Sequence, residues 1–410
     1  MLRLYFATTA CIALMAWGCN TRSEGASDDP ANATDCRAGT PPCPNGETCI
    51  AGPDDQWRCR RGVVPASDAA LDCRSPQMAC GLAERCGQGP NGAWTCLPDI
   101  PPVAPPPETA LGVPDAGPTP APPGRGARPV PPPTVLPVPA QQRIIAFGDV
   151  HGDAQAVLAA LNLAGVINAD LEWIGGDTIV VQVGDQLDRG DDERAILDYF
   201  EYLSDAAWAA GGGVYPLVGN HETINVDLDF RYVTPGGWTD FDDIPYDDQD
   251  PLIQMYDPAV RGRVAAFRPG GPYARILAGH NAVMVVGDTL FAHGGVLPVH
   301  LAMGLDEVNR SIQRWMRGDG PRPAAISGGD SVVWSRHYSR DTDDMDCALL
   351  EQVLGALEVR RIVVAHTVQE AGINGVCGGR AFRVDVGLAA AYGGRPQVLE
   401  IRGDDVRVIQ

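Results

Sequence analysis

Three apolar runs in the middle of the chain share one arrangement: Ile144 to Phe147, Ile179 to Val183, and Val214 to Val218. Each is short and apolar, with Gln182 the one polar interruption, the pattern of a strand buried on both faces. Each ends in a glycine-bearing polar turn: Gly148-Asp149-Val150-His151-Gly152, Gly184-Asp185-Gln186-Leu187-Asp188-Arg189-Gly190, and Gly219-Asn220-His221-Glu222. Segments of helical character separate these turns. Ala154 to Gly165 is rich in Ala and Leu, with Asp153 placed as an N-cap, and Asp191 to Ala210 repeats Ile196, Leu197, Phe200 and Leu203 at helical spacing. Strand, turn and helix in succession predict an open α/β sheet. In such a sheet the loops after the strand C-termini converge on one edge.

The pattern weakens between Thr223 and Gly271. Asp240, Asp242, Asp243, Asp247, Asp248 and Asp250 alternate there with Trp238, Phe241 and Tyr246. A partly helical lid or rim is expected, with a solvated acidic loop. No EF-hand spacing supports a calcium loop. Beyond it, 282–286 and 289–292 read as a hairpin around Gly287-Asp288 that leads to His293. Helices are expected over 305–317 and 346–358, the second leading into the strand 361–364 and His366. Closing strands are expected at 381–385, 397–401 and 406–409.

The first third of the chain has no such pattern. Met1 to Phe6 carries Arg3, and an apolar run from Ala7 to Trp17 ends at Gly18-Cys19. The run is short for a membrane span and reads as a signal peptide over 1–18. Ala16-Trp17-Gly18-Cys19 is similar to a bacterial lipobox, which implies lipidation of Cys19. A secreted chain without lipid and an uncleaved anchor are the alternatives. Residues 19–35 are small and polar and read as a flexible tether.

Cys36, Cys43, Cys49 and Cys59 recur as Cys73, Cys80, Cys86 and Cys96, with Trp57 and Trp94 each two residues before the last cysteine. This duplicated module, 36–59 and 73–96 within 36–97, is expected to be stapled by disulfides of undetermined connectivity. Zinc fits less well, because the CxxC spacing is missing. From 98 to 140 proline dominates, and an extended linker is expected that forms no ladder. At ~3.1 Å per residue it would reach on the order of 130 Å.

Composition narrows the function. The net charge over 410 residues is −21, and every basic residue is Arg. Such a chain is a poor partner for a nucleic-acid backbone. The acidity is read as serving solubility. Forty-five per cent hydrophobic residues suffice for a large core, placed by the pattern at 141–410.

The three turns carry Asp, His and Asn, donors suited to hard or borderline divalent metals. Together they resemble the signature of the calcineurin-like metallophosphoesterase superfamily, and the DRG and GNHE forms resemble its phosphoprotein phosphatase branch. Leu290 to Gly295, Val363 to Thr367, Val333-Trp334-Ser335-Arg336, Cys377 to Arg380 and Tyr392-Gly393-Gly394 add similarity to bacterial Shewanella-like phosphatases. The resemblance implies an α/β fold, a two-sheet β-sandwich flanked by helices, preceded here by the disulfide-rich repeats. It implies two divalent metal ions, manganese, iron or zinc. Asp149, His151 and Asp185 would hold the first. Asp185, Asn220, His293 and His366 would hold the second, and a hydroxide shared between the metals would attack phosphorus. His221 would be the general acid, oriented by Asp188. Arg189, Arg336 and Asn220 would bind phosphate. His280, His300 and His337 read as structural, His280 with an outer-shell role open to it. Cys347 and Cys377 are expected to pair in an exported chain.

The expected function is an exported phosphomonoesterase acting on phosphoproteins, at Ser/Thr or Tyr, held to a membrane by a lipid. A hydrolase of small phosphate compounds such as diadenosine polyphosphates is the alternative within the same chemistry. An envelope-binding protein acting through the Cys-rich repeats is the alternative of another class; missing metal ligands would favour it, and none is missing.

Overall fold

The computed structural model divides the chain into two compact units, Met1–Val103 and Ala104–Gln410. It describes the backbone of four strands in the first and residues 126–410 in the second. The four strands are β1 (Thr48–Ala51), β2 (Trp57–Arg60), β3 (Glu84–Gln88) and β4 (Trp94–Pro98). They form two antiparallel hairpins, β1–β2 and β3–β4, one in each sequence repeat. Cys49 faces Cys59 in the first register and Cys86 faces Cys96 in the second. The signal peptide, Cys19, the tether and the repeat disulfides lie outside the described residues.

The second unit begins with β5 (Val135–Leu136), β6 (Ile144–Phe147), α1 (Ala154–Ala164), β7 (Ile179–Gln182), α2 (Glu193–Ala209) and β8 (Gly213–Pro216). The helical insert follows: α3 (Asn220–Val226), α4 (Pro235–Thr239), α5 (Pro251–Gln254), α6 (Arg261–Phe267) and α7 (Pro272–Leu277). Then come β9 (Val283–Val286), β10 (Thr289–Ala292), α8 (Pro298–Met303), α9 (Leu305–Met316) and α10 (Asp344–Leu357). The chain closes with β11 (Arg361–Val364), β12 (Asn374–Val376), β13 (Ala381–Arg383), β14 (Val398–Arg402) and β15 (Asp405–Ile409).

The strands form two mixed sheets, ordered β15-β14-β6-β7-β8 and β12-β13-β11-β10-β9-β5. Strands β6, β7 and β8 are parallel neighbours, so their C-terminal ends lie side by side. Strands β10, β11 and β13 are also parallel, and β9 runs antiparallel to β10. Ile145, Val181 and Leu399 of the first sheet share one core with Met284, Phe291 and Val363 of the second. A second core packs the other face of the six-stranded sheet against the insert and α9 and α10. Strands buried on both faces explain the largely apolar runs.

Asp153 caps α1, accepting from the backbone N–H groups of Gln155 and Ala156 at 2.9 and 3.1 Å. Helix α10 starts two residues before the expected 346. Asp343 accepts from Met345 N and Asp346 N, while Asp346 Oδ2 accepts from Asp343 N, and this reciprocal cap sets the start. Cys347 on α10 and Cys377 after β12 are joined as a disulfide, with Cα atoms 5.3 Å apart.

Two expectations need correction. The stretch 98–140 was expected to form no ladder, yet its end belongs to the second unit and pairs there. Val135 and Leu136 pair with Val285 and Val286 on β9. Arg128 pairs with Glu201 and Asp205, and Asn281 Nδ2 donates to Pro132 O at 3.1 Å. A two-residue edge strand tolerates proline around it, because only one side of the ladder must be satisfied. The insert at 223–271 is also more than a rim. Its acidic loop is exposed, with Asp243, Asp248 and Asp250 paired to Arg194, Arg261 and Arg268. But Phe241, Val264 and Phe267 are fully buried, so the insert builds part of the core behind the strand ends.

Candidate metal centre

Asp149 and His151 follow β6, Asp185 and Asp188 follow β7, and Asn220 and His221 open α3 after β8. His293 follows β10 and His366 follows β11. All eight side chains are buried. His151, Asp185 and His366 have positive-φ backbone, at 43°, 58° and 69°. Asp188 and Arg189 are likewise at 67° and 69°. Such strain in non-glycine residues persists only where the surroundings over-determine it.

Glu222 helps to do so. Its carboxylate accepts from Gly219 N at 2.6 Å, Asp185 N at 2.9 Å and Gln186 N at 2.8 Å, tying the second and third turns together. The turns approach so closely that a Cβ on Gly219 would lie 2.2 Å from Asp185 Oδ1.

The donor atoms converge. Asp185 Oδ2 lies 4.0 Å from His151 Nε2, 3.9 Å from His221 Nε2 and 3.2 Å from His293 Nε2. Asp149 Oδ2 lies 3.8 Å from His151 Nε2. His293 Nε2 is 2.8 Å from Asn220 Oδ1 and 3.1 Å from His366 Nδ1. His151, Asp185 and His221 form one group that could hold a metal ion, and Asp185, His293 and His366 another.

The tautomers agree with metal binding. His151 Nδ1 faces the Leu187 carbonyl at 3.0 Å, and His293 Nδ1 faces the Val183 carbonyl at 2.8 Å. A carbonyl only accepts, so each Nδ1 carries the proton and each Nε2 presents a lone pair to the cluster. Asp149 Oδ1, Asn220 Nδ2 and His366 Nε2 are buried without a hydrogen-bond partner among the described residues. Converging lone pairs with few donors among them suit cations better than an apolar or hydrogen-bonded core.

Electrostatics point the same way. Burial lowers the pKa of His151 and of His366 well below the ordinary value, which keeps both rings neutral. Burial pushes Asp149 well above it, with Asp385 and Asp185 adding to the rise. For Asp185 burial works upward, but His293 and His221 win and hold it well below the usual range.

Asp385 is a site residue that the sequence reading placed only in a strand. It is buried beside Asp149, and burial raises its carboxyl to about 6. A Cβ on Gly148 would meet Asp385 Cα at 2.6 Å, so the first turn requires glycine there. The signal was available: Asp385 follows an apolar strand, as Asp149 and Asp185 do. It adds a buried carboxyl group beside Asp149 and Asp185.

His221 Nδ1 contacts Asp188 Oδ2 at 2.5 Å. Burial disfavours its charged form, but the carboxylates of Asp185 and Asp188 offset this and push His221 up to about 9. Arg189 is flanked by aromatic rings, its guanidinium carbon 4.6 Å from the Tyr232 centroid and 5.4 Å from that of Tyr392. The Tyr232 and Tyr392 rings also lie 5.1 Å from His221 and 5.4 Å from His151. Neither tyrosine was singled out as a site residue. Arg336 Nη1 donates to the His366 carbonyl at 2.9 Å and to Thr367 Oγ1 at 2.8 Å.

His280, His300 and His337 stand elsewhere. His280 Nε2 contacts Glu201 at 2.8 Å, His300 Nδ1 accepts from Leu297 N at 2.9 Å, and His337 lies between Asp346 and Asp330. The outer-shell role open to His280 finds no support in these contacts.

Residues 142–370 match the family model for calcineurin-like phosphoesterases. The chain belongs to the calcineurin-like phosphoesterase family. It is a metal-dependent phosphoric ester hydrolase, and its cofactors are two divalent metal ions. Shewanella-like protein phosphatase 2 of Arabidopsis thaliana is 40% identical over 302 residues, covering 65% of this chain and 77% of that protein. Shewanella-like protein phosphatase 1 of Plasmodium berghei is 25% identical over 278 residues, covering 65% and 73%. The solved cold-active protein-tyrosine phosphatase of a psychrophilic Shewanella species superposes with a TM-score of 0.54 at 23% identity, covering 68% of this chain and 82% of that one. That likeness establishes the fold.

Proposed function

We propose that this phosphoesterase is exported and dephosphorylates proteins, with phosphotyrosine preferred. The observation that carries the substrate preference is Arg189 between Tyr232 and Tyr392. The guanidinium offers forked donors to phosphate, and the two rings offer apolar walls for an aryl group. Beside them a groove of about 670 Å³ runs past Gln369, Glu370, Tyr392 and Arg395, room for chain flanking a phosphorylated residue. The names of the relatives, Shewanella-like protein phosphatases and a protein-tyrosine phosphatase, support a polypeptide substrate.

In this reading Asp149, His151 and Asp185 hold one cation, and Asp185, Asn220, His293 and His366 hold the other. The cations supply positive charge at the phosphate oxygens and a nucleophilic water at neutral pH. Arg189 and Arg336 hold phosphate oxygens, with Asn220 reaching the phosphate from the second metal position. His221 gives its Nε2 proton to the leaving oxygen, and Asp188 fixes the ring through Nδ1. Cleavage after residue 18 and a lipid on Cys19 would tether the chain at a membrane. The repeats would present a surface to an envelope partner, and a disulfide between Cys347 and Cys377 suits an oxidising compartment.

The full chain supplied with manganese is expected to hydrolyse a phosphotyrosine peptide with a kcat/KM roughly tenfold or more above that for the matching phosphoserine peptide. Hydrolysis confined to dinucleoside polyphosphates, or a phosphoserine preference, would overturn the substrate reading.

The charge of His221 sets a pH dependence. A general acid must be protonated, so turnover falls as pH rises through its pKa. Burial lowers that pKa and Asp185 and Asp188 raise it, to about 9, and cations held at the cluster would lower it again. Asp188→Asn therefore moves the descending limb of kcat to lower pH. A limb that stays in place in the variant, measured between pH 5 and 10, would contradict the pairing.

A further inference from the structure

Behind the His221–Asp188 pair lies a charged cluster that the reaction scheme does not use. Arg263, on α6 of the insert, has no exposed surface. Its Nη1 donates to Glu193 Oε2 and, at 2.8 Å, to Gly237 O. Its Nη2 donates to Glu193 Oε1 at 2.9 Å and to Asn225 Oδ1 at 2.7 Å. The guanidinium carbon lies 5.0 Å from the Phe267 ring centroid and 5.2 Å from that of Phe241. A cation is held here at full burial, which is tolerated only when paired and hydrogen-bonded.

The cluster reaches the general acid by two short routes. Asn225 accepts from Arg263 through Oδ1, so its Nδ2 must face the other way. There it donates to Asp188 Oδ2 at 3.1 Å and to the His221 carbonyl at 2.9 Å. Glu193, gripped by Arg263, accepts from Asp188 N at 2.5 Å and so fixes a backbone turn with φ of 67°. Arg263 Nη2 also stands 3.7 Å from Asp188 Oδ1. Without Arg263, the Asn225 amide loses what fixes its orientation, and Asp188 and Glu193 stand as two buried carboxylates without their cation.

We propose that Arg263 is a positioning residue for general-acid catalysis: through Asn225 and Glu193 it locks Asp188, and thereby the His221 ring, in the orientation that delivers a proton to the leaving oxygen. Arg263 is not among the residues assigned to metal or phosphate. The proposal rests on His221 being the acid, and the experiment separates the two claims.

The readout is leaving-group dependence. A general acid matters most when the leaving oxygen is basic, so loss of acid catalysis grows from p-nitrophenyl phosphate through phenyl phosphate to an alkyl phosphate. A metal or folding defect lowers all three alike. In the full-length manganese-loaded protein, Arg263→Lys keeps one charge but loses the planar fork. It is expected to lower kcat about 10- to 100-fold on an alkyl phosphate, the range for outer-shell partners. The loss on p-nitrophenyl phosphate is expected to be several-fold smaller, with KM and metal content unchanged. Asn225→Ser leaves the Arg263–Glu193 pair intact and is expected to show the same slope, which covers the case of a Lys variant that does not fold. In a His221→Asn background neither substitution is expected to cost more.

An equal loss on all three substrates, or a loss that adds fully to that of His221→Asn, would overturn the positioning role. If His221→Asn itself lacks the leaving-group slope, the acid assignment fails, and the proposal with it. If His221→Asn has the slope and both Arg263→Lys and Asn225→Ser lack it, only the role of Arg263 fails.

Discussion

Asp185→Asn is expected to lower kcat/KM by about 10³-fold or more, or roughly 4 kcal/mol of transition-state stabilisation. A single oxygen of Asp185, Oδ2, reaches both halves of the cluster, 3.2 Å from His293 Nε2 and 4.0 Å from His151 Nε2. The substitution removes the negative charge from a buried position where two dications are to meet. The fold should survive it. Asp185 Oδ1 accepts from His221 N at 2.9 Å, and an Asn oxygen can accept the same bond. Glu222 holds the turn through the backbone, independently of the side chain at 185. The check is elemental analysis of bound metal beside steady-state turnover. A variant that keeps two metals per chain and near-normal turnover would remove Asp185 from the bridging role.

His221→Asn is expected to cost roughly 10²- to 10⁴-fold in kcat, the range for a lost general acid. Metal content should be retained, because His221 pairs with Asp188 at 2.5 Å and is not needed to complete either set of proposed ligands. The loss should be greatest for alkyl phosphates and least for p-nitrophenyl phosphate, whose leaving oxygen needs little help. The descending limb of the pH profile should disappear with the acid. A uniform loss accompanied by depleted metal would instead make His221 a ligand, which its place 3.9 Å from Asp185 Oδ2 leaves as the competing result.

Much of the fold was legible along the chain because its core strands are buried on both faces. Apolar runs such as Ile144–Phe147 and 362–364 then mark strands without ambiguity about which face is covered. Helices α1, α2 and α9 were legible for the complementary reason: one face packs on a sheet and the other meets water. The insert was less legible. Its helices are four to seven residues long, too short to display a period, and Arg263 breaks the rule that a charged residue marks an exposed face. Residues 126–140 were misread for a related reason. Proline content argues against a central strand, but it does not forbid a two-residue pairing at an edge.

The sequence by itself determined a candidate donor set, Asp149, His151, Asp185, Asn220, His293 and His366, each just after an apolar strand or opening the helix beyond one. Local chemistry suffices for that, since residue type and strand-end placement are both one-dimensional information. Only the tertiary structure decided which carboxylate would join them, which rings would flank Arg189, and which cation would stand behind His221. Tyr232 and Arg263 on one side and Asp385 and Tyr392 on the other come from segments far apart in the chain. They meet because two sheets pack face to face with their strand ends at one edge and the insert packs behind, and contacts made across such layers leave no period or spacing in a single chain.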